Sequence, residues 1–462
     1  MTPPKVAELP ARGLPLAMQA LMIAARQMLF ADTDRARTQR AALTAFSVRV
    51  ASAGVLYLSQ VALARWMGSF QYGIYVSVWV WVLVLGGLSH MGLGVTMIRL
   101  LPQYEAAGDF GRVRGLLAGG RLFALASASG VACLGLLGLW LFGGLLSGPY
   151  LLPAYLALVC VPLYTLTEVQ DGIGRAYQWM AVALLPPYVL RPLLVLAAMA
   201  GAELTGLVMD AVTAGAAAII ATWLTALVQT VLLQRRVAAK IPPAPAIYDL
   251  GFWLRTALPI LVINGCELVL QNADVLIVAR LMTPADVAVY FAAAKTMSLV
   301  LFVHYAVGSA VANRLAALKA LGDETQLRSF IRDAVNWTFW PSLAGAILIL
   351  ALGKPLLMLF GPQYAAGYDV MLVLVLGLVF RATMGPAEFL LNMLGEQTLC
   401  AAVLVATAML NVALNFALIP HFGLIGAAMA TAISLVTAAL LYYVVAQRRL
   451  QIEIAIWCNL KK

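Results

Sequence analysis

Residues 64–76 read ARWMGSFQYGIYV and residues 279–291 read ARLMTPADVAVYF. Arg65 aligns with Arg280, Met67 with Met282 and Tyr75 with Tyr290, all at an offset of 215. A second pair follows at an offset of 214: GDFGRVR at 108–114 against GDETQLR at 322–328. Two matches at nearly one offset mark an internal duplication, each copy about half the chain.

The duplicated material is too apolar for water. Of 462 residues 63% are hydrophobic and 11% charged, and the mean hydropathy is +0.92. These figures place the chain among all-α polytopic membrane proteins, since within a bilayer only helices and closed barrels satisfy every backbone polar group. A 20-residue apolar window gives spans near 42–64, 73–96, 117–142, 150–168, 181–200 and 206–234, then 257–281, 287–312, 334–353, 369–391, 398–418 and 424–446. The repeat unit therefore holds six helices. An even number keeps both copies in the same orientation, related by an axis along the membrane normal. Twelve helices in two pseudo-symmetric six-helix lobes describe a transporter with its path between the lobes. The expected organisation is an N-terminal segment 1–41 with an interfacial amphipathic helix at 14–30, an N-lobe 42–234, a linker 235–256, a C-lobe 257–446 and a tail 447–462.

Charge sets the orientation. Of 30 Lys and Arg, three (Arg65, Arg280, Lys354) fall in connections on one side and four (Arg49, Arg191, Lys295, Arg381) within spans, leaving 23 on the other side with both termini. By the positive-inside rule that side is cytoplasmic. The skew also accounts for the net charge of +10, as basic loops beside anionic headgroups rather than a nucleic-acid surface. Other chemistries are disfavoured. The five cysteines (133, 160, 266, 400, 458) and three histidines (90, 304, 421) form no paired or metal-ligand pattern, and no Gly-rich Lys-Ser/Thr loop would bind ATP. The outer connections are too short for the catalytic loop of a membrane glycosyltransferase. Trp66, Trp179, Trp253 and Trp457, near span ends, are expected as interfacial anchors.

Charges inside the spans each need a partner, a cavity or a task. In NGCELVLQNAD (264–274) the polar residues Asn264, Glu267, Gln271 and Asp274 are spaced 3, 4 and 3, forming one stripe on span 7. Arg49, Ser52, Ser59 and Gln60 form a weaker stripe on span 1, and the offset of 215 makes Arg49 the equivalent of Asn264. Asp274 and Lys295 flank the turn between spans 7 and 8 at similar depth, so a pair across the hairpin is expected, either a structural clasp or a gating element. Arg381 is placed to pair with Glu388, and Arg191 to meet a carbonyl freed by Pro192.

The segments ARWMGSFQYGIY (64–75), MTPADVAVYFAAAK (282–295), LFGPQYAAGYDV (359–370) and above all LNVALNFALIPHFGLIGAAMATAIS (410–434) resemble the polysaccharide transporters of the MOP exporter superfamily, over roughly residues 42–446. The resemblance implies a MATE/MOP-like fold with spans 1 and 7 facing each other across a central cleft. It also implies an inner-membrane flippase for undecaprenyl-diphosphate-linked oligosaccharides that works by alternating access. Such a cargo carries a diphosphate through a low-dielectric region, and guanidinium groups replace its lost hydration with bidentate donors. Arg49, Arg191 and Arg381 are the candidates. Gln60, Asn264 and Gln271, with Tyr57, Asn272 and Tyr305, are candidates for the sugars, and Glu267, Asp274 and Lys295 for ion coupling or gating. No cofactor is implied. The energy source is a proton or sodium gradient, or consumption of the product by a polysaccharide polymerase. The alternatives are a MATE-like multidrug or cation antiporter, against which the intramembrane cations argue, and a lipid II flippase.

Overall fold

The computed structural model describes residues 34–145, 148–321 and 323–460. The expected amphipathic segment 14–30 lies outside the described residues. Among the described residues ten helices are long and apolar enough to cross a membrane, and two of them are double. The helix Asp34–Ser89 is broken at Gly68, which takes φ 72° and ψ 166°. Tyr72 donates to Gln60 Oε1 at 2.8 Å; in a continuous helix twelve residues would separate them by about 18 Å, so the chain reverses at Gly68. Gln397–Val445 is broken likewise at Gly423 (φ 59°, ψ −136°), where a Cβ on Gly426 would collide with the backbone of Leu418. Only glycine tolerates such backbone angles cheaply.

The twelve spans are 1 (34–67), 2 (69–89, continued by Leu93–Ala106), 3 (Phe110–Phe142), 4 (Gly148–Ala176), 5 (Met180–Leu185, a π turn, then Arg191–Leu204) and 6 (Ala211–Lys240). In the second half they are 7 (Leu250–Leu281), 8 (Pro284–Leu321), 9 (Glu324–Ala351), 10 (Tyr368–Thr383 and Ala387–Met393), 11 (397–422) and 12 (424–445). The second repeat motif has one structural task in both copies. Asp109 accepts from Arg112 N and Asp323 from Gln326 N, each at 2.9 Å, capping spans 3 and 9.

One end of the bundle carries the turns at Gly68, 282–283 and Gly423 (the hairpin end); the other carries the inter-lobe linker (the linker end). The seams between lobes run crosswise. Span 2 packs on span 7, where a Cβ on Gly87 would meet Leu268 at 2.6 Å. Span 1 packs on span 8, where Tyr57 Oη lies 3.3 Å from Thr296 Oγ1. Exchanging 1 with 7 and 2 with 8 converts one seam into the other, as a two-fold axis along the membrane normal requires.

The apolar core is not symmetric along that axis. At the hairpin end a single cluster joins both lobes, from Leu63, Tyr72 and Ala218 to Tyr290, Phe360 and Leu374. At the linker end there are two. One, around Met97, Leu116 and Ile173, fills the N-lobe and takes in Trp253 and Ala257 from the start of span 7. The other, around Leu315, Ile331, Leu391 and Tyr442, fills the C-lobe. Among the described residues the lobes are thus fused at one end and cored separately at the other.

Two boundaries differ from expectation. Span 6 runs on to Lys240 and span 7 starts at Leu250, which shortens the linker to 241–249. This strap is seated on span 3. Ile247 N donates to the Gly111 carbonyl at 3.0 Å, Arg114 Nε donates to the Pro242 carbonyl at 2.9 Å, and a Cβ on Gly115 would collide with the Ile247 backbone. The tail is not free either. After the π turn Ala446–Leu450 the chain reverses at Gln451 (φ 53°), and Ile452, Ile454, Ala455 and Ile456 are buried against the C-lobe. Trp253 is a further correction. It is fully buried and donates to Tyr104 Oη at 3.3 Å rather than anchoring in an interface.

Candidate functional site

Span 7 carries its polar stripe along the edge of the seam with span 2. Asn264 and Glu267 are half-buried and Gln271 is exposed, whereas Asn272 and Asp274 are buried. The stripe therefore divides: its linker-side part faces open space and its hairpin-side part faces the core. Asn272 donates to its own helix at the Leu268 carbonyl, 2.9 Å away, which removes it from the candidates for sugar contact.

Opposite Glu267 stands a break in span 10. Met384, Gly385 (φ 60°) and Pro386 interrupt the helix, which restarts at Ala387. Arg381 thus sits in the last turn of one helix and Glu388 in the first turn of the next, each charge at the helix end that stabilises it. Arg381 Nη2 reaches Glu388 Oε2 at 3.4 Å, with side chains 18% and 23% exposed. The expected pair forms, through the break rather than along one helix face. Arg381 Nη2 also lies 3.4 Å from His304 Nε2; a guanidinium can only donate, so this nitrogen is the acceptor. Glu267 lies within the fields of both Glu388 and Arg381. Spans 7, 8 and 10 together present two carboxylates, a guanidinium and an imidazole to the middle of the C-lobe, and span 10 does so from a discontinuous helix.

In the N-lobe Arg191 follows the π turn Pro186–Leu190. Its guanidinium stacks 5.0 Å from the Tyr164 ring and 5.5 Å from Trp79, and Nη1 is buried without a hydrogen-bond partner among the described residues. The expected bond to a carbonyl freed by Pro192 is absent among them; aromatic faces hold the cation instead. The backbone of Arg49 lies in span 1, but its side chain, like that of Tyr305, falls outside the described residues.

The Asp274–Lys295 clasp does not form as an ion pair. Asp274 accepts from Tyr290 Oη at 2.6 Å and from Val275 N at 2.8 Å, and Lys295 Nζ sits 5.0 Å over the Phe291 ring. A tyrosine on the adjacent helix satisfies the buried carboxylate as a neutral donor, and an aromatic face holds the lysine. Gln60 is engaged in the same manner by Tyr72. Both hairpins, spans 1–2 and 7–8, are therefore tied by a polar group on the first helix and a tyrosine on the second. Gln60 Oε1 and the Asp274 carboxylate make these ties.

Sequence reasoning missed three features. Arg65 donates from Nε to the Leu359 carbonyl at 2.6 Å and from Nη2 to the Met358 carbonyl at 2.8 Å, latching span 1 to the short helix Gly353–Phe360 across the hairpin end. Its repeat position was visible; its acceptors, nearly 300 residues away, were not. Tyr57 joins the same seam through the Leu356 carbonyl at 3.3 Å and the Phe360 ring at 5.4 Å. Arg121, counted with the basic loops, lies well inside span 3, with Nε and Nη2 buried and without a hydrogen-bond partner among the described residues.

The MatE family model matches residues 259–417, from span 7 to span 11. A probable low-salt glycan biosynthesis flippase of Haloferax volcanii, Agl15, is 24% identical over 170 residues, which is 37% of this chain and 36% of that protein; the match thus spans about a third of that relative's length. Among solved structures, an inward-facing multidrug resistance MATE transporter of the MOP superfamily superposes with a TM-score of 0.72 at 15% identity, over 88% of this chain and 98% of that one. The lipid II flippase MurJ in an inward closed conformation gives 0.67 at 14% identity, over 87% of each chain. The two-lobed fold of these transporters is the fold of this chain.

Proposed function

We propose that the chain is an inner-membrane flippase that carries undecaprenyl-diphosphate-linked oligosaccharides from the cytoplasmic to the outer leaflet by alternating access, in surface polysaccharide assembly. The observation that carries this reading is the divided core: one cluster across both lobes at the hairpin end, two separate clusters at the linker end. The two separate clusters support a path between the lobes that opens toward the linker end, beside the start of span 7, which packs on the N-lobe. The excess of Lys and Arg supports reading that end as cytoplasmic, the side from which such a cargo would enter.

Groups at bilayer depth support this cargo class. Arg381 and Arg191 retain guanidinium donors at bilayer depth, and Asn264 and Gln271 leave amides on the accessible face of span 7. A diphosphate entering from the linker end would compete with Glu388 for Arg381, while the amides meet sugar hydroxyls. Glu267, which feels Arg381, would register that exchange. This makes it the candidate for proton or sodium coupling, with product consumption by a polymerase as the other driving force. The names of the haloarchaeal relative and of MurJ support a lipid-linked glycan as cargo.

The rival reading is a cation antiporter, favoured by the MatE match and by the carboxylates Glu267 and Glu388. Proteoliposomes separate the two. Arg381→Ala is expected to abolish translocation of a fluorescent undecaprenyl-diphosphate oligosaccharide, with partial recovery in Arg381→Lys and a parallel loss in Arg49→Ala. Proton-driven uptake of a cationic dye by the unaltered protein, with no lipid-diphosphate movement, would establish the antiporter instead.

A further inference from the structure

At the linker end of the N-lobe, away from the cleft, a recess of about 440 Å³ is lined by Pro102, Glu105, Tyr177, Gln178 and Lys240 among others. We propose that this recess and the adjoining end of span 6 bind the headgroup of an anionic phospholipid from the surrounding bilayer.

Tyr177 gives the recess an aromatic wall. Tyr177 and Trp179 stack with centroids 4.8 Å apart, across the turn between spans 4 and 5 where Gln178 takes φ 57°. Each ring carries a cation. Lys240 Nζ lies 4.3 Å from the Tyr177 centroid and the Arg236 guanidinium 5.7 Å from that of Trp179. The two cations are four residues apart on one helix, hence on one face. Glu105 Oε1 holds Lys240 at 2.8 Å, but an ammonium has three donors and this uses one. Arg235 and Arg236 have no ion pair among the described residues. The rim thus carries a surplus of two positive charges on pre-positioned side chains, which suits a phosphodiester.

The bilayer is the source because of what leads to the rim. Trp223, Leu227 and Val231 are exposed apolar side chains on span 6, and steps of four residues carry them directly to Arg235. A lipid with its chains against this stripe brings its phosphate to Arg235, Arg236 and Lys240. A soluble anion would gain nothing from the stripe.

The test is a titration of the purified full chain in detergent with a fluorescent phosphatidylglycerol, against phosphatidylcholine and inorganic phosphate. Each cation near an anionic lipid contributes about fivefold in affinity, so Arg236→Ala/Lys240→Ala is expected to weaken phosphatidylglycerol binding roughly 25-fold. The equally charged control Arg448→Ala/Arg449→Ala, on the other lobe, is expected to leave it within about twofold. Should the alanine variant fail to fold, Arg236→Gln/Lys240→Gln keeps the side-chain bulk and serves in its place. Equal weakening by the control, unweakened binding in the recess variants, equal affinity for phosphatidylcholine, or displacement of the lipid by inorganic phosphate would each overturn the proposal.

Discussion

Replacing Arg65 with alanine removes the polar latch at the hairpin end and nothing of the core beneath it. The guanidinium spans the Met358 and Leu359 carbonyls at 2.8 and 2.6 Å. These are among the last acceptors of the helix Gly353–Phe360, where the dipole favours a cation. Charge-assisted bonds of this kind contribute about 1.5–3 kcal/mol each when shielded. Arg65 is exposed, and screening reduces each to about 0.5–1 kcal/mol. The latch as a whole then biases the hairpin end toward closure by about 1–2 kcal/mol, a factor of roughly 5–30 between closed and open populations. Spin labels at Phe70 and Gln363, both exposed and on opposite lobes, report this opening as a distance distribution. Arg65→Ala is expected to add a longer-distance population, and Arg65→Lys, which keeps the charge and loses the bidentate fork, a smaller one. An unchanged distribution in Arg65→Ala would refute the latch and leave closure to the apolar seam around Tyr57 and Phe360.

Three further outcomes can be checked together. Tyr290→Phe strips the buried Asp274 of its 2.6 Å donor and should lower stability by about 1–3 kcal/mol, read as a lower thermal midpoint in detergent; adding Asp274→Asn should recover part of it. Gly115→Val drives a side chain into the Ile247 backbone and should unseat the strap, so that limited proteolysis cuts within 241–249 while cutting elsewhere is unchanged. Gly73→Ala places a methyl against the Pro284 backbone, where span 2 meets span 8, and should shift the Phe70–Gln363 distance the same way as Arg65→Ala.

Legibility of the cleft varied residue by residue. Asn264, Glu267 and Gln271 were recognised as one face because helical periodicity is local, and that face is accessible. The same periodicity put Asp274 in the stripe and could not tell that Tyr290, sixteen residues on, would bury it. Gly385 and Pro386 beside Arg381 were a readable sign that span 10 would break, yet the contact with His304, 77 residues away, was not.

The sequence by itself determined the class, the number of spans and the two-fold repeat. Each of these follows from composition, periodicity or internal repetition, and needs no knowledge of which residues become neighbours. Only the tertiary structure decided which polar groups are used up in packing and which stay accessible. Gln60 and Asp274 tie hairpins, Arg65 latches the lobes, and Arg381 with Glu267 stays half-buried within the C-lobe. Those assignments depend on which helices become neighbours, and a pairing across hundreds of residues leaves no periodic mark on either partner. The division of the core into one cluster at the hairpin end and two at the linker end is likewise a property of lobe packing, because the same apolar spans can bury their faces in more than one relative arrangement of the lobes.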